Sequence, residues 1–66
     1  MNHYYVNNKA QANGDHEVHK DGCIFMPSDK TYLGYFSTCQ EAVKVAKVKF
    51  YQVNGCKTCS YACHTS

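Results

Sequence analysis

The sequence contains no tryptophan, no arginine and a single proline, and it has no long run of apolar residues. Without arginine there are no guanidinium forks to grip phosphate or guanine. The formal net charge of +2, carried by seven lysines against five acidic residues, gives no strongly basic face either, so composition alone does not point to nucleic acid. Without a long apolar run no segment reads as a membrane-crossing helix, and the opening MNHYYVNNKAQANGDHEVHK lacks the apolar centre of a secretion signal. With Met1 at its start, the expectation is a cytoplasmic protein with no membrane partner. Length is the other shortage. A chain of 66 residues reads as a single small domain, residues 1–66, and folding at that size removes only roughly 60% of the surface that the unfolded chain exposes. Apolar burial then barely offsets conformational entropy, and a disulfide, a structural metal or a partner subunit is expected to supply the difference.

What the chain does have is cysteine and histidine, five and four respectively, alongside nine aromatics. An odd number of cysteines leaves one thiol over in any fully oxidised monomer, and a reducing interior disfavours stable disulfides, so metal binding or redox chemistry is the expected use of clustered thiols. Two units carry that chemistry. HKDGC places His19 and Cys23 with three residues between them, and CKTC places Cys56 and Cys59 with two between them. Both sulfurs of a Cys-x2-Cys turn can face one ion while backbone amides satisfy them, and the His-x3-Cys turn can bring two more ligands. Four such donors in a tetrahedron suit zinc. One ion would then tie the front of the domain to its end, a metal-binding core of about residues 16–64.

Local signals predict a small α+β fold, an antiparallel sheet of about three strands packed on one helix and stapled by zinc. YYVN (Tyr4 to Asn7) reads as a strand. EVH (Glu17 to His19) reads as the next, leading through the Asp21-Gly22 turn into CIFM (Cys23 to Met26) as a hairpin. TYLGYF (Thr31 to Phe36) reads as the central strand, with Tyr32, Gly34 and Phe36 on one face and Leu33 and Tyr35 on the other. STCQEAVKVAKVKFYQVNG reads as a helix: Ser37 or Thr38 caps it, Gln40 or Glu41 completes a capping box, and Asn54-Gly55 stops it. Its apolar stripe is Cys39, Ala42, Val43, Ala46, Phe50 and Val53, and Lys44, Lys47 and Lys49 form its solvated side rather than a phosphate patch. No regular element is expected after it.

The pieces HKDGC, YLGYF, STCQEAV and NGCKTC, spanning roughly His19 to Cys59, resemble the Ada-type metal-binding domain at the front of a bacterial DNA alkylation-repair protein, in a variant with an H-x3-C element and a terminal C-x2-C. The resemblance implies a small mixed fold holding tetrahedral zinc on His19, Cys23, Cys56 and Cys59. The repair domain uses four cysteines, one of which accepts a methyl group from DNA. Here His19 stands at the first ligand position and lowers the negative charge that makes the sulfurs nucleophilic, so methyl transfer is not carried over. The chain also resembles small stand-alone bacterial proteins of unassigned role, down to the closing CHTS, which adds no function.

The other residues leave alternatives open. Cys63 and His64 can replace proposed ligands in a local Cys56, Cys59, Cys63, His64 set. Cys39, at the helix start, is a buried small side chain, an activated thiol, or the partner of Cys63 in a disulfide. Tyr32, Tyr35, Tyr51 and Tyr61 are expected to fill the core, and His3 and His16 are assigned no role. The expected function is a non-catalytic structural-zinc binding or adaptor module whose partner, protein or nucleic acid, is not legible. The competing readings are a thiol redox protein using CKTC, or a secreted domain tied by disulfides.

Overall fold

A computed structural model describes residues 1–65. Six elements follow one another: β1 (Asn2–Asn7), β2 (His16–Lys20), β3 (Lys30–Phe36), the helix α1 (Cys39–Lys49), β4 (Val53–Gly55) and a 3-10 turn at Tyr61–Cys63. This is the small α+β architecture that the sequence predicts, with four strands instead of about three. They stand in the order β3-β1-β2-β4. β1 pairs antiparallel with β2 (Tyr5 opposite His19) and with β3 (Tyr5 opposite Tyr32), whereas β4 runs parallel to β2 (Val53 beside His16, Gly55 beside Val18). The sheet is therefore mixed. β3 lies on its edge, where the sequence suggests the centre, and the chain crosses from β3 to β4 through α1.

The helix begins where its capping signal stands. The Thr38 hydroxyl accepts from the Glu41 amide at 3.4 Å, and the Glu41 carboxylate accepts from the Thr38 amide at 3.2 Å and from the Ser37 hydroxyl at 2.8 Å. That closes the capping box and satisfies two otherwise orphaned amides. The Ser37 hydrogen bond, followed by those from Thr38, holds the Glu41 carboxyl below its usual range. Its stabilising contribution is thus present above the ordinary carboxylate pKa and is lost as the pH falls through the lowered value. Thr38→Ala is expected to cost about 1 kcal/mol of unfolding free energy by urea titration at neutral pH.

The end of the helix differs from expectation. It stops at Lys49, not at Asn54-Gly55, because Phe50 takes an extended conformation (φ −124°, ψ 139°) and stacks on His16 with ring centres 3.8 Å apart. The next residues then pair with β2 as β4. Phe50 and Val53 reach the core as the stripe requires, but from a strand and its lead-in. Tertiary pairing here overrides a helical periodicity that local propensity alone would extend.

The core lies between one face of the sheet and α1, and it is small. Its buried members are Tyr4, Val6, Val18, Cys39, Ala42 and Ala46, with Leu33, Phe36, Val43, Phe50, Val53 and Cys63 packed partly against them. The largest side chains that are completely enclosed are His19, Val6 and Val18. The tyrosines do not provide the missing volume: Tyr32, Tyr35, Tyr51 and Tyr61 are all exposed, Tyr51 fully. A register shift between Tyr4 and Tyr5 on β1, opposite Leu33, explains part of this. The bulge resets the alternation of β3, so that Leu33 and Phe36 turn to the core while Tyr32 and Tyr35 join His3 on the outer face, at ring distances of 5.7 and 4.6 Å from it. CIFM likewise forms no strand. Ile24 and Phe25 sit exposed in a loop, because both edges of β2 are already taken by β1 and β4.

Candidate metal centre

Each of the four predicted ligands is placed by a different local device. His19 lies near the end of β2, and the strand's pairing with both β1 and β4 fixes its backbone. After Lys20 the chain reverses: the Cys23 amide donates to the Lys20 carbonyl at 3.1 Å, with Gly22 at φ +88°. Only glycine adopts that angle without strain, and this turn is what swings Cys23 back beside His19. Cys56 follows β4 directly and its amide donates to the Val18 carbonyl at 2.9 Å, which continues the parallel ladder. The chain then curls, with the Ser60 amide donating to the Cys56 carbonyl at 2.9 Å, and returns Cys59 to the same point.

The outcome is convergence. The ligand atoms of His19, Cys23, Cys56 and Cys59 all lie within 4.8 Å of one another, so this group could hold a metal ion. The Cys23 and Cys56 sulfurs are 3.9 Å apart and the Cys59 sulfur is 3.9 Å from His19 Nδ1. Two sulfurs each about 2.3 Å from one ion at the tetrahedral angle lie about 3.8 Å apart, so the spacing fits a four-coordinate cation. His19 and Cys56 are buried at 2% and 3% exposure, while Cys23 and Cys59 are half-buried at an open cleft with Lys20, Asp21, Gly22, Ile24 and Thr58.

The electrostatics suit the same conclusion. Burial lowers the His19 pKa, only partly countered by the neighbouring Glu17 carboxylate, and the imidazole is therefore neutral and ligand-competent near pH 7. Burial pushes the Cys59 thiol up to about 12; the Lys20 amide, donating to the sulfur at 3.2 Å, pulls the other way, and the adjoining Cys23 and Cys56 thiols add to the rise. Three sulfurs this close cannot all be anionic without a cation among them, so metal uptake must release protons.

Cys63 and His64 do not take part. Cys63 is joined to Cys39 in a disulfide spanning 24 residues, and His64 Nδ1 donates to the Gly55 carbonyl at 3.0 Å. The local Cys56, Cys59, Cys63, His64 set is therefore not formed, and Cys39 is neither a free thiol nor an activated one. The tail can reach the helix start because it lies directly on Gly55. A Cβ there would stand 2.6 Å from Cys63 Cβ and 2.7 Å from the Ser60 carbonyl. Thr65 extends the clamp, its amide donating to Asn54 Oδ1 at 3.0 Å. Five cysteines thus divide into one disulfide and three free thiols, and the three thiols are the sulfur members of the cluster.

Glu17 has no place among the predicted site residues, yet its Oε1 lies 3.3 Å from His19 Nε2. The contact sets a carboxylate oxygen beside the far nitrogen of the imidazole. Its sequence signal is the Glu-x-His spacing, since residues two apart on a strand share a face. His16, assigned no role, is structural: it stacks on Phe50 and its Nδ1 lies 3.0 Å from the Asn7 carbonyl.

No family model, curated protein or solved structure matches this chain. The likeness to the Ada-type domain therefore rests on the motif residues alone. Among the described residues no helix is long and apolar enough to cross a membrane.

Proposed function

We propose that this protein is a structural-zinc module, non-catalytic, in which His19, Cys23, Cys56 and Cys59 hold one Zn²⁺ and the folded surface serves as an adaptor for a macromolecular partner. The observation that carries the reading is the meeting of a His-x3-Cys turn and a Cys-x2-Cys turn at tetrahedral spacing, from sequence positions more than thirty residues apart. Three thiolates and one imidazole are a borderline-soft donor set that favours zinc over calcium or magnesium. Because the protein fills all four positions, no site remains for a metal-bound water, and the ion's role is to hold the fold instead of activating a nucleophile. The partly variant ligand set also agrees with an Ada-like relationship without methyl transfer. A partner would meet the exposed large hydrophobic side chains, Tyr32 and Tyr35 on the outer sheet face or Ile24 and Phe25 beside the cleft.

A second reading draws on the Cys39–Cys63 disulfide, which persists most readily in an oxidising compartment and not in the cytoplasm. In that setting the cation has an added role, because thiolates bound to it are kept from pairing with one another. A thioredoxin-like use of CKTC is less well supported. Such a pair is activated at a helix N-terminus, and Cys56 instead extends β4.

Native and denaturing mass spectrometry of the purified protein separates these readings. The expected result is one zinc per chain under native conditions, lost on denaturation, with the mass of two hydrogens missing for a single disulfide. A native mass without metal and with further hydrogens missing would mean that Cys23, Cys56 and Cys59 pair with each other or with another chain, and the zinc reading would be wrong.

A further inference from the structure

The cluster is the work of four ligands, but one of them is not free to choose its orientation. His19 is enclosed, and an imidazole presents two different nitrogens to its surroundings. Its Nδ1 faces Cys59 Sγ at 3.9 Å, on the side of the sulfurs, and its Nε2 points the other way, to Glu17 Oε1 at 3.3 Å. Glu17 is itself held. Its second oxygen, Oε2, accepts from Gln11 Nε2 at 2.8 Å, and its side chain is only 17% exposed. β2 supplies the geometry, because Glu17 and His19 are two residues apart on one strand and the pairing of β2 with β1 and β4 fixes both backbones.

We infer that Glu17 is a positioning residue of the metal centre: its carboxylate takes the Nε2–H of His19, fixes that tautomer, and leaves the Nδ1 lone pair aimed at the cation. The inference rests on the zinc reading above and adds to it a defined ligand atom and an outer partner. A ligating histidine whose far N–H is given to a carboxylate is held in one ring orientation and is made more basic toward the metal. Gln11, on the connection between β1 and β2, acts one step further out by holding the carboxylate in place. The alternative use of the same contact is an ion pair between protonated His19 and Glu17. In that state Nδ1 carries a proton and is closed to any metal.

The test uses the full chain with Zn²⁺, in competition with a chelator of known affinity, and Co²⁺ as the spectroscopic probe. Glu17→Ala is expected to weaken Zn²⁺ binding about 10- to 100-fold. Glu17→Gln should recover part of that loss, because an amide oxygen still accepts from Nε2–H. In a His19→Cys background, where no imidazole remains, Glu17→Ala should leave Zn²⁺ affinity unchanged, whereas a purely structural role for Glu17 would weaken it there too. Independently of any variant, ¹⁵N NMR of the zinc-loaded protein should place the proton on Nε2 and the metal on Nδ1 of His19. Equal Zn²⁺ affinity for wild type and Glu17→Ala, or a metallated Nε2, overturns the role of Glu17 while leaving the zinc centre standing. A wild-type chain that takes up neither Zn²⁺ nor Co²⁺ overturns both.

Discussion

Cys56→Ser is expected to lose its bound metal and its cooperative unfolding transition together. Cys56 is the most enclosed of the three sulfurs, and its amide extends the β2–β4 ladder through the Val18 carbonyl, so its side chain is committed to the centre of the cluster. Binding of a structural zinc by a small domain contributes on the order of 10 kcal/mol at neutral pH, more than most domains of this size hold in total. The apolar core cannot compensate. Of its six buried members two are alanines and one is a disulfide-bonded cysteine, and the largest wholly enclosed side chain is His19, whose burial is favourable only if its nitrogens are partnered. The measurement is a thermal melt followed by tyrosine near-UV circular dichroism, with metal content determined on the same sample. Loss of metal with a collapsed melt is the expected outcome, and chelation of the wild type should reproduce it. A metal-free Cys56→Ser that melts like wild type would falsify the structural role of the ion.

How much of this was legible in the chain depends on the range of the interaction concerned. The helix start was readable because a capping box is a local signal: Thr38 and Glu41 are three residues apart and their chemistry needs no distant partner. The meeting of His19, Cys23, Cys56 and Cys59 was readable for a related reason, since His-x3-Cys and Cys-x2-Cys are each local turns and only one long-range assumption, that they face the same point, had to be added. β4 was not readable. Three residues, Val53 to Gly55, carry no periodicity, and Asn54-Gly55 imitates a helix stop; what makes them a strand is the free edge of β2. The tyrosines misled because hydrophobic volume says nothing about which face of a sheet will be covered. Once a bulge at Leu33 resets the register, Tyr32 and Tyr35 turn outward and the small alanines of α1 let the helix close on the sheet instead. Glu17 was overlooked because a carboxylate two residues from a histidine is an ordinary pattern, and it acquires meaning only when the far nitrogen of that histidine is seen to face sulfur.

Reduction of the Cys39–Cys63 bond is the second large effect. Cys39 lies in the first turn of α1 and Cys63 in the 3-10 turn after the cluster, so the bond joins the helix start to the segment that follows Cys59. Cross-linking residues 24 apart removes loop entropy from the unfolded chain worth about 3 to 4 kcal/mol. Cys39→Ser, with the metal retained, is therefore expected to lower the unfolding free energy by about that amount and to leave the metal stoichiometry at the wild-type value. The reason the two staples separate is topological. The proposed cation would join β2 and its following turn to the end of β4, while the disulfide joins α1 to the tail, and neither needs the other's residues. They are still coupled through the tail's seat on Gly55, where Cys63 and the Ser60 carbonyl leave no room for a Cβ. Freed from Cys39, residues 60–65 are held by hydrogen bonds alone, those of Ser60 to Cys56, His64 to Gly55 and Thr65 to Asn54. Amide hydrogen exchange at residues 60–65 should consequently quicken in Cys39→Ser, while exchange at Val18 and Cys56, inside the β2–β4 ladder, stays slow. Equal acceleration at both places would mean that disulfide and cation act as one cooperative unit.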